Sequence, residues 1–196
     1  LITGGTGSFG SATINKLLKE KVGEVVIFSR DEKKQHDLRL LHKGNKKLNF
    51  IVGDIRDYES IKMALSGIDY VFHAAALKQV PTAEIFPIEA LKTNTIGAEN
   101  LIKASKNSSV KKIVFLSTDK AVSPVNAMGM TKALMEKIVI SNSIILKKQK
   151  SNLKLCITRY GNVLGSRGSL LTVFKKQIQT KKPITITDLN MTRFVM

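Results

Sequence analysis

Apolar and polar positions along the chain follow two different periods. Short runs rich in β-branched residues read as strands: "LIT" at Leu1, "EVVIFS" at Glu24, "LNFIVGD" at Leu48, "DYVFHAA" at Asp69, "KKIVFLST" at Lys111 and "LKLCITRY" at Leu153. Between them lie amphipathic stretches of helical period, about 10 to 20 residues long. Strands that are apolar on both faces and alternate with helices predict a parallel sheet covered on both sides, an α/β fold of the doubly wound class. From about Gly161 the character changes, with Gly and Ser clusters, then a further helix, then strand-like "PITIT" and "MTRF". The expected division is a nucleotide-binding domain over residues 1–160 and, over 161–196, the truncated start of a substrate-facing portion.

The first strand runs into "TGGTGSFGSATINKLLK", which sets Gly4, Gly7 and Gly10 three apart ahead of an amphipathic helix. Glycine lets backbone approach closely, and the free N–H groups of a helix start attract a pyrophosphate. In this βαβ setting the turn Thr3, Gly4, Gly7, Ser8, Phe9, Gly10 is the expected dinucleotide-binding turn of a Rossmann fold. The carboxylate that an NAD-preferring protein offers to the ribose falls on Ser29 and Arg30. A hydroxyl and a guanidinium suit a 2′-phosphate, so NADP is expected ahead of NAD, although Asp31 is adjacent and "SRDE" also reads as a helix cap. Asp54 in "GDIRD" sits where it can accept from an adenine amino group, with Ile55 against the ring, and Ala74, Ala75 and Ala76 leave room beside them. All these segments end at the carboxyl edge of the sheet, where ligands of open parallel sheets bind.

Composition changes this picture little. The formal charge of +17 comes from lysines scattered over helix ends and connections, with few aromatics between them to stack on bases. That reads as a solvated surface, welcoming to a phosphate-bearing substrate, and no specific nucleic-acid partner is expected. Cys156 is the single cysteine, which excludes an internal disulfide and a cysteine metal cluster; its strand position reads as a buried structural thiol. His36, His42 and His73 lack metal-ligand spacing, so no metal is expected. No apolar run reaches the roughly 20 residues of a bilayer span, and no signal-peptide order opens the chain, so a cytoplasmic protein without membrane insertion is expected.

The remaining candidate chemistry lies in "STDKAVSPVNAMGMTKALMEK", residues 117–137. Lys132 opens a helix, and four residues before it, where an oxidoreductase of this kind carries a tyrosine hydroxyl, stands Met128. Together with "GDIRD", "HAAALKQVP", "KTNTIGAEN" and "TRYGNVLGSRGS", this segment resembles the extended short-chain dehydrogenase/reductases. Within them the chain is similar to the polysaccharide-biosynthesis branch and the 5-inverting UDP-N-acetylglucosamine 4,6-dehydratases, whose capsule and O-antigen members share a methionine at the position of Met128.

The resemblance implies an NADP-dependent 4,6-dehydration of a UDP-sugar, a carbon–oxygen lyase reaction with inversion at C5. Carried over residue by residue, Lys120 is the C5 base and Asp119 the acid at the C6 oxygen, its pKa raised by desolvation. Lys132 binds the nicotinamide ribose. Thr118 is the nearest hydroxyl to the C4 proton, Met128 packs against sugar or nicotinamide, and Lys78 and Asn162 meet the cofactor or the sugar diphosphate. Arg167 and Arg193 are expected contacts to phosphate or uridine. The expected partners are a UDP-sugar and further copies of the chain. Two alternatives stay open: a nucleotide-sugar 4-epimerase, which needs no acid–base pair for elimination, and a dinucleotide-binding module without catalysis.

Overall fold

The computed structural model describes every residue except Arg167, Gly168, Thr187 and Arg193. Its sheet has six strands, β1 (Ile2–Thr3), β2 (Val25–Ser29), β3 (Leu48–Val52), β4 (Tyr70–His73), β5 (Lys112–Leu116) and β6 (Lys154–Thr158). They lie in the order β3-β2-β1-β4-β5-β6, and each neighbouring pair is parallel. The order reverses between β1 and β4, and this switch point is where an open α/β sheet leaves a crevice beyond its carboxyl ends. The doubly wound parallel sheet expected from the pattern is the observed one.

Helices α1 (Ser8–Leu17) and α2 (Glu32–Leu41) cover one face, where Ile14 and Leu38 pack on Ile2, Val25 and Ile27. Helices α3 (Tyr58–Ala64), α6 (Gly97–Lys106) and α7 (Ala127–Lys148) cover the other. There Ile61, Leu101, Met135 and Val139 meet Val26, Phe28, Ile113 and Phe115 in the larger core. Strand β2 is buried at all five positions, which is why its sequence "VVIFS" shows no alternation.

Two expectations about packing fail at the sheet's β6 edge. Cys156 is exposed and not a buried thiol. Leu155 and Ile157 point into the larger core, so Cys156 takes the opposite face, which no helix covers among the described residues. Helix α8 (Leu170–Gln179) forms as its apolar spacing foretold, yet none of its residues is buried. The strand-like "PITIT" is irregular over its described residues, 183–186, and "MTRF" leads only to a single parallel bridge between Val195 and Asn162. Apolar alternation without a neighbouring strand to supply hydrogen bonds does not make a strand.

Short helices α4 (Val80–Ile85) and α5 (Pro87–Leu91) run directly into a π-helical turn at Lys92–Ile96, which then continues as α6. Thr93, Asn94 and Thr95 in that turn are all buried. Asn94 accepts from the Leu77 N–H (2.8 Å) and donates to the Leu77 carbonyl (2.9 Å) and to Thr131 Oγ1 (3.0 Å). One side chain thus ties the "LKQVP" loop to α7. The wider turn is what lets a polar side chain leave the helix axis at this depth.

The phosphate turn rests on two glycines. Gly4 has φ +65°, and a Cβ there would lie 2.8 Å from the Ala75 Cα, so the turn is wedged against the exit of β4. A Cβ on Gly10 would run into the Gly5 carbonyl oxygen. Gly10→Ala should therefore lower stability by about 2–3 kcal/mol in chemical denaturation, because backbone must move to admit the methyl. Gly23→Ala, with open space around it, should leave the midpoint unchanged or slightly raised in the same measurement.

Candidate active site

Beyond the carboxyl ends of the strands lies a cavity of about 1170 Å³, lined by the phosphate turn, the exits of β2, β4 and β5, the start of α7, and residues 160–166. Its size exceeds the roughly 300–1,000 Å³ usual for a single small ligand. At its floor α1 begins at Gly7 with no side-chain cap and no acidic residue in the first turn. The helix start thus presents backbone N–H groups and its positive dipole end to the cavity, which suits a diphosphate. Together with the close approaches at Gly4 and Gly10, this backbone cradle fits a dinucleotide.

The expected cofactor residues distribute unequally around it. Gly4, Gly7, Ser8, Phe9 and Gly10 line the cavity, as do Ser29, Arg30, Ile55, Ala74, Ala76 and Lys78. Thr3 lies one step behind them in β1. Its hydroxyl bonds His73 Nδ1 (2.8 Å) and accepts from the Ala75 N–H (3.3 Å), which fixes the relative position of the β1 and β4 exits. His73 is fully buried, and burial, helped by the Lys132 charge, pushes its pKa down to about 3, so the ring is neutral. Asp54 also lies outside the lining. Its carboxylate takes two hydrogen bonds from the Arg56 guanidinium (2.9 and 2.6 Å) and one from the Arg56 N–H (2.9 Å) and pairs with Arg30 at 3.6 Å, leaving Gly53 and Ile55 as the residues of "GDIRD" that face the cavity.

At the β2 exit, Asp31 caps α2 by accepting from the Lys34 N–H (2.9 Å) and pairs with the Lys34 ammonium. The capping reading of "SRDE" is therefore realised by Asp31, while Ser29 Oγ accepts from Gln35 Nε2 at 3.0 Å. Arg30 stays half-exposed at the rim.

Thr118, Lys120, Met128 and Lys132 come together on one wall, with Asp119 beside them. Thr118 caps the 3-10 turn Asp119–Ala121 and donates to Asp119 Oδ1 (2.9 Å). Lys120 Nζ reaches Asp119 Oδ1 (3.2 Å) and Asn162 Oδ1 (3.0 Å). The raised Asp119 pKa expected from desolvation is reversed. Burial does work upward, but the hydrogen bonds from Thr118 and Lys120, with the Lys120 charge, hold the carboxyl below the ordinary range. Met128 is buried against Ala83 and Ala90 and lines the wall. Lys78 and Asn162 are at the cavity; Arg167 and Arg193 lie outside the described residues.

Lys132 is buried, its Nζ donating to the Leu116 carbonyl at 2.8 Å with Met135 Sδ at 3.7 Å. Desolvation lowers its pKa to about 8, against an upward pull from Glu136. Reading the sequence alone passed over several residues that build this wall. A Cβ on Gly129 would lie 2.5 Å from the Lys120 carbonyl oxygen, so only glycine lets α7 start so close to the Asp119–Ala121 turn. Glu136 and Arg159 pair under the wall, and Tyr160, half-buried with its phenol pKa raised by burial, faces the cavity. The sequence signal for the Glu136–Arg159 pair was an acid on the buried stripe of α7, one turn after Lys132.

The profile of the Polysaccharide biosynthesis protein family matches residues 1–196. The chain belongs to that family. This member of the polysaccharide-biosynthesis family is 53% identical over 200 residues to a protein named UDP-glucose 4-epimerase from Rickettsia felis, and 54% identical to one of the same name from Rickettsia prowazekii. All of the chain is covered in both matches, and it spans 58% of the length of each of these relatives. Among solved structures, Pen from Bacillus thuringiensis superposes with a TM-score of 0.94 at 42% identity, over 100% of this chain and 59% of that one. A UDP-glucuronic acid 4-epimerase from Bacillus cereus, solved with UDP-glucuronic acid and NAD, superposes with a TM-score of 0.86 at 24% identity, over 100% of this chain and 68% of that one. The last likeness shows the fold alone. These findings correct the expected 4,6-dehydration and lyase chemistry: relatives that match the whole family member at 53–54% identity carry the epimerase name. The acid–base pair at Asp119 and Lys120 had suggested elimination, yet in this structure its members are bonded to each other.

The Lys132 environment makes a prediction about stability. Its folded pKa, about 8, lies below its ordinary 10.5, so between those values the unfolded chain holds more protons than the folded one. The contribution of Lys132 is therefore unfavourable below pH 8 and is relieved as pH rises toward 10.5. In denaturant titrations, the stability of the wild type relative to Lys132→Met should rise across this window, with a slope of up to about 1.4 kcal/mol per pH unit.

Proposed function

We infer that the protein is a nucleotide-sugar 4-epimerase acting on a UDP-hexose, with a nicotinamide dinucleotide held in the cavity at the β1/β4 switch point. The observation that carries this reading is the identity, at 53–54% over the whole chain, to proteins named UDP-glucose 4-epimerase. It is supported by the uncapped start of α1 and by a cavity with room for two ligands. The activity belongs to the whole protein, of which this chain corresponds to a little more than half of its relatives' length.

The dinucleotide supplies reversible hydride exchange at C4 of the sugar. Gly4, Gly7 and Gly10 at the α1 start would hold its diphosphate, and Lys132 would hold the nicotinamide ribose. The carboxylate of Asp31 is spent on capping α2 and on Lys34, so it is poorly placed for ribose hydroxyls. Arg30 stands half-exposed at the same rim, which favours the 2′-phosphorylated cofactor, NADP.

The protein's own task at the sugar is to move the C4 hydroxyl proton. Thr118 faces the cavity and already donates to Asp119 Oδ1, so it takes the substrate proton as its own passes to the ionised Asp119 carboxylate. The proton returns by the same route after the sugar has presented its other face. Lys120 orients this pair and Asn162 and need not act as a base at C5. Met128 supplies an apolar wall that excludes water, and residues 161–166 begin the sugar-facing side of the cavity.

Incubation of the complete protein with UDP-glucose in deuterated water should give UDP-galactose with no deuterium at C5. A 4-keto-6-deoxy product carrying deuterium at C5 would sink the epimerase reading. In the same assay Thr118→Val should lower kcat by about 10²-fold, the low end for loss of general-base help, while Lys120→Ala, which removes only an orienting contact, should cost less than Thr118→Val. Binding titrations should favour NADPH over NADH, and Arg30→Ala should erase that preference.

A further inference from the structure

Beneath the cavity wall three elements meet at one carboxylate. Glu136, on α7 one turn beyond Lys132, has a side chain only 6% exposed. Its Oε1 accepts from Ser117 Oγ (2.5 Å) at the exit of β5 and from Arg159 Nε (2.9 Å) at the exit of β6. Its Oε2 accepts from Arg159 Nη2 at 2.5 Å, which completes a bidentate fork. The residues on either side of Arg159 close the same junction through backbone: the Ser117 N–H donates to the Thr158 carbonyl (2.7 Å) and the Asp119 N–H to the Tyr160 carbonyl (3.1 Å). Lys132 is bonded to the same stretch, on the Leu116 carbonyl.

This arrangement is larger than core packing requires. A buried ion pair is seldom a net gain in stability, whereas a fork on a carboxylate fixes orientation strongly. What it orients is α7 against the β5 exit, and on α7 the side chain that reaches the cavity beside Ser117 and Thr118 is Lys132. Among the described residues, the charged or titratable groups facing Lys132 are His73 from β4, which is neutral, and Glu136 from its own helix, with Arg159 at the exit of β6 behind it. Glu136 is the single anion among them.

We propose that Glu136, clamped by Ser117 and Arg159, is the positioning residue that keeps Lys132 charged and aimed into the dinucleotide cavity. It touches neither cofactor nor sugar and acts through Lys132. The proposal rests on the reading of that cavity as a dinucleotide site, and the experiment separates the two. Fluorescence titration of the complete protein with NADPH and NADH comes first; if the wild type binds neither, the cofactor reading fails.

With wild-type binding in hand, Glu136→Gln keeps the size of the side chain and removes its charge. It should weaken dinucleotide binding about tenfold or more at pH 8, the scale of one charged hydrogen bond. Removing a neighbouring anion lowers the pKa of a lysine, so the alkaline fall in affinity should move to lower pH, with affinity recovered near pH 6. Glu136→Asp, which keeps the charge, should keep the wild-type pH profile. A merely structural role would lower the melting temperature and leave that profile in place, and this result would overturn the proposal. Should Glu136→Gln fail to fold, Arg159→Lys at a half-exposed site replaces the fork by a point charge. A several-fold loss of affinity then supports the clamp, and wild-type affinity overturns it.

Discussion

The burial of one ammonium group constrains everything around the candidate site. Lys132 lies inside the protein with a single short oxygen partner among the described residues, the Leu116 carbonyl. A cation so placed tolerates no other positive neighbour, which is consistent with the neutral ring of His73 and with Glu136 one turn away. The position of the lysine in turn requires α7 to begin close against the Asp119–Ala121 turn, an approach that Gly129 permits and the Asn126 cap stabilises. The Asn94 bonds to Leu77 and Thr131 then fasten the opposite side of the cavity to the same helix. The architecture around the cavity is thus a set of supports for a charge the core would otherwise reject.

The parts legible in the sequence are those set by short-range rules. Strand period, helix period and glycine spacing depend on neighbours within a few residues, so the six strands, the phosphate turn and the start of α7 could be placed from the residues alone. The Asp31 cap and the wall of Thr118, Lys120, Met128 and Lys132 are of the same kind, since they lie on one exit and the helix that follows. What escaped depends on contacts between distant segments. Ser117, Glu136 and Arg159 are separated by 19 and 23 residues and carry no mutual pattern until β5, α7 and β6 are packed. Cys156 was misjudged because an edge strand has a second face whose cover no local period reports, and Asp119 because its partners outweigh its burial.

The functional expectation failed for a related reason. Asp119 and Lys120 are residue types that can serve elimination, and the resemblance to the 4,6-dehydratases implied that they do. A charged pair at a strand exit is equally able to orient its neighbours, and here its groups are occupied with Thr118, Asn162 and each other. Residue type states what a side chain is able to do; the partners it already has decide how much of that ability is left for a substrate. Within the Polysaccharide biosynthesis protein family the fold alone therefore does not fix the reaction.

The π-helical turn at Lys92–Ile96 gives the helical run from Pro87 to Lys106 one residue more than a regular spiral would use. Length changes and residue changes therefore have opposite costs there. A one-residue deletion would leave an uninterrupted α-helix, locally the more favourable conformation. It would also rotate one half of the run against the other by about 100°, so that Asn94 and the inner face of α6 could not both keep their partners. The register of this helical run is held by tertiary bonds against the preference of its own backbone, and in this stretch an indel would report on the site more sharply than most substitutions.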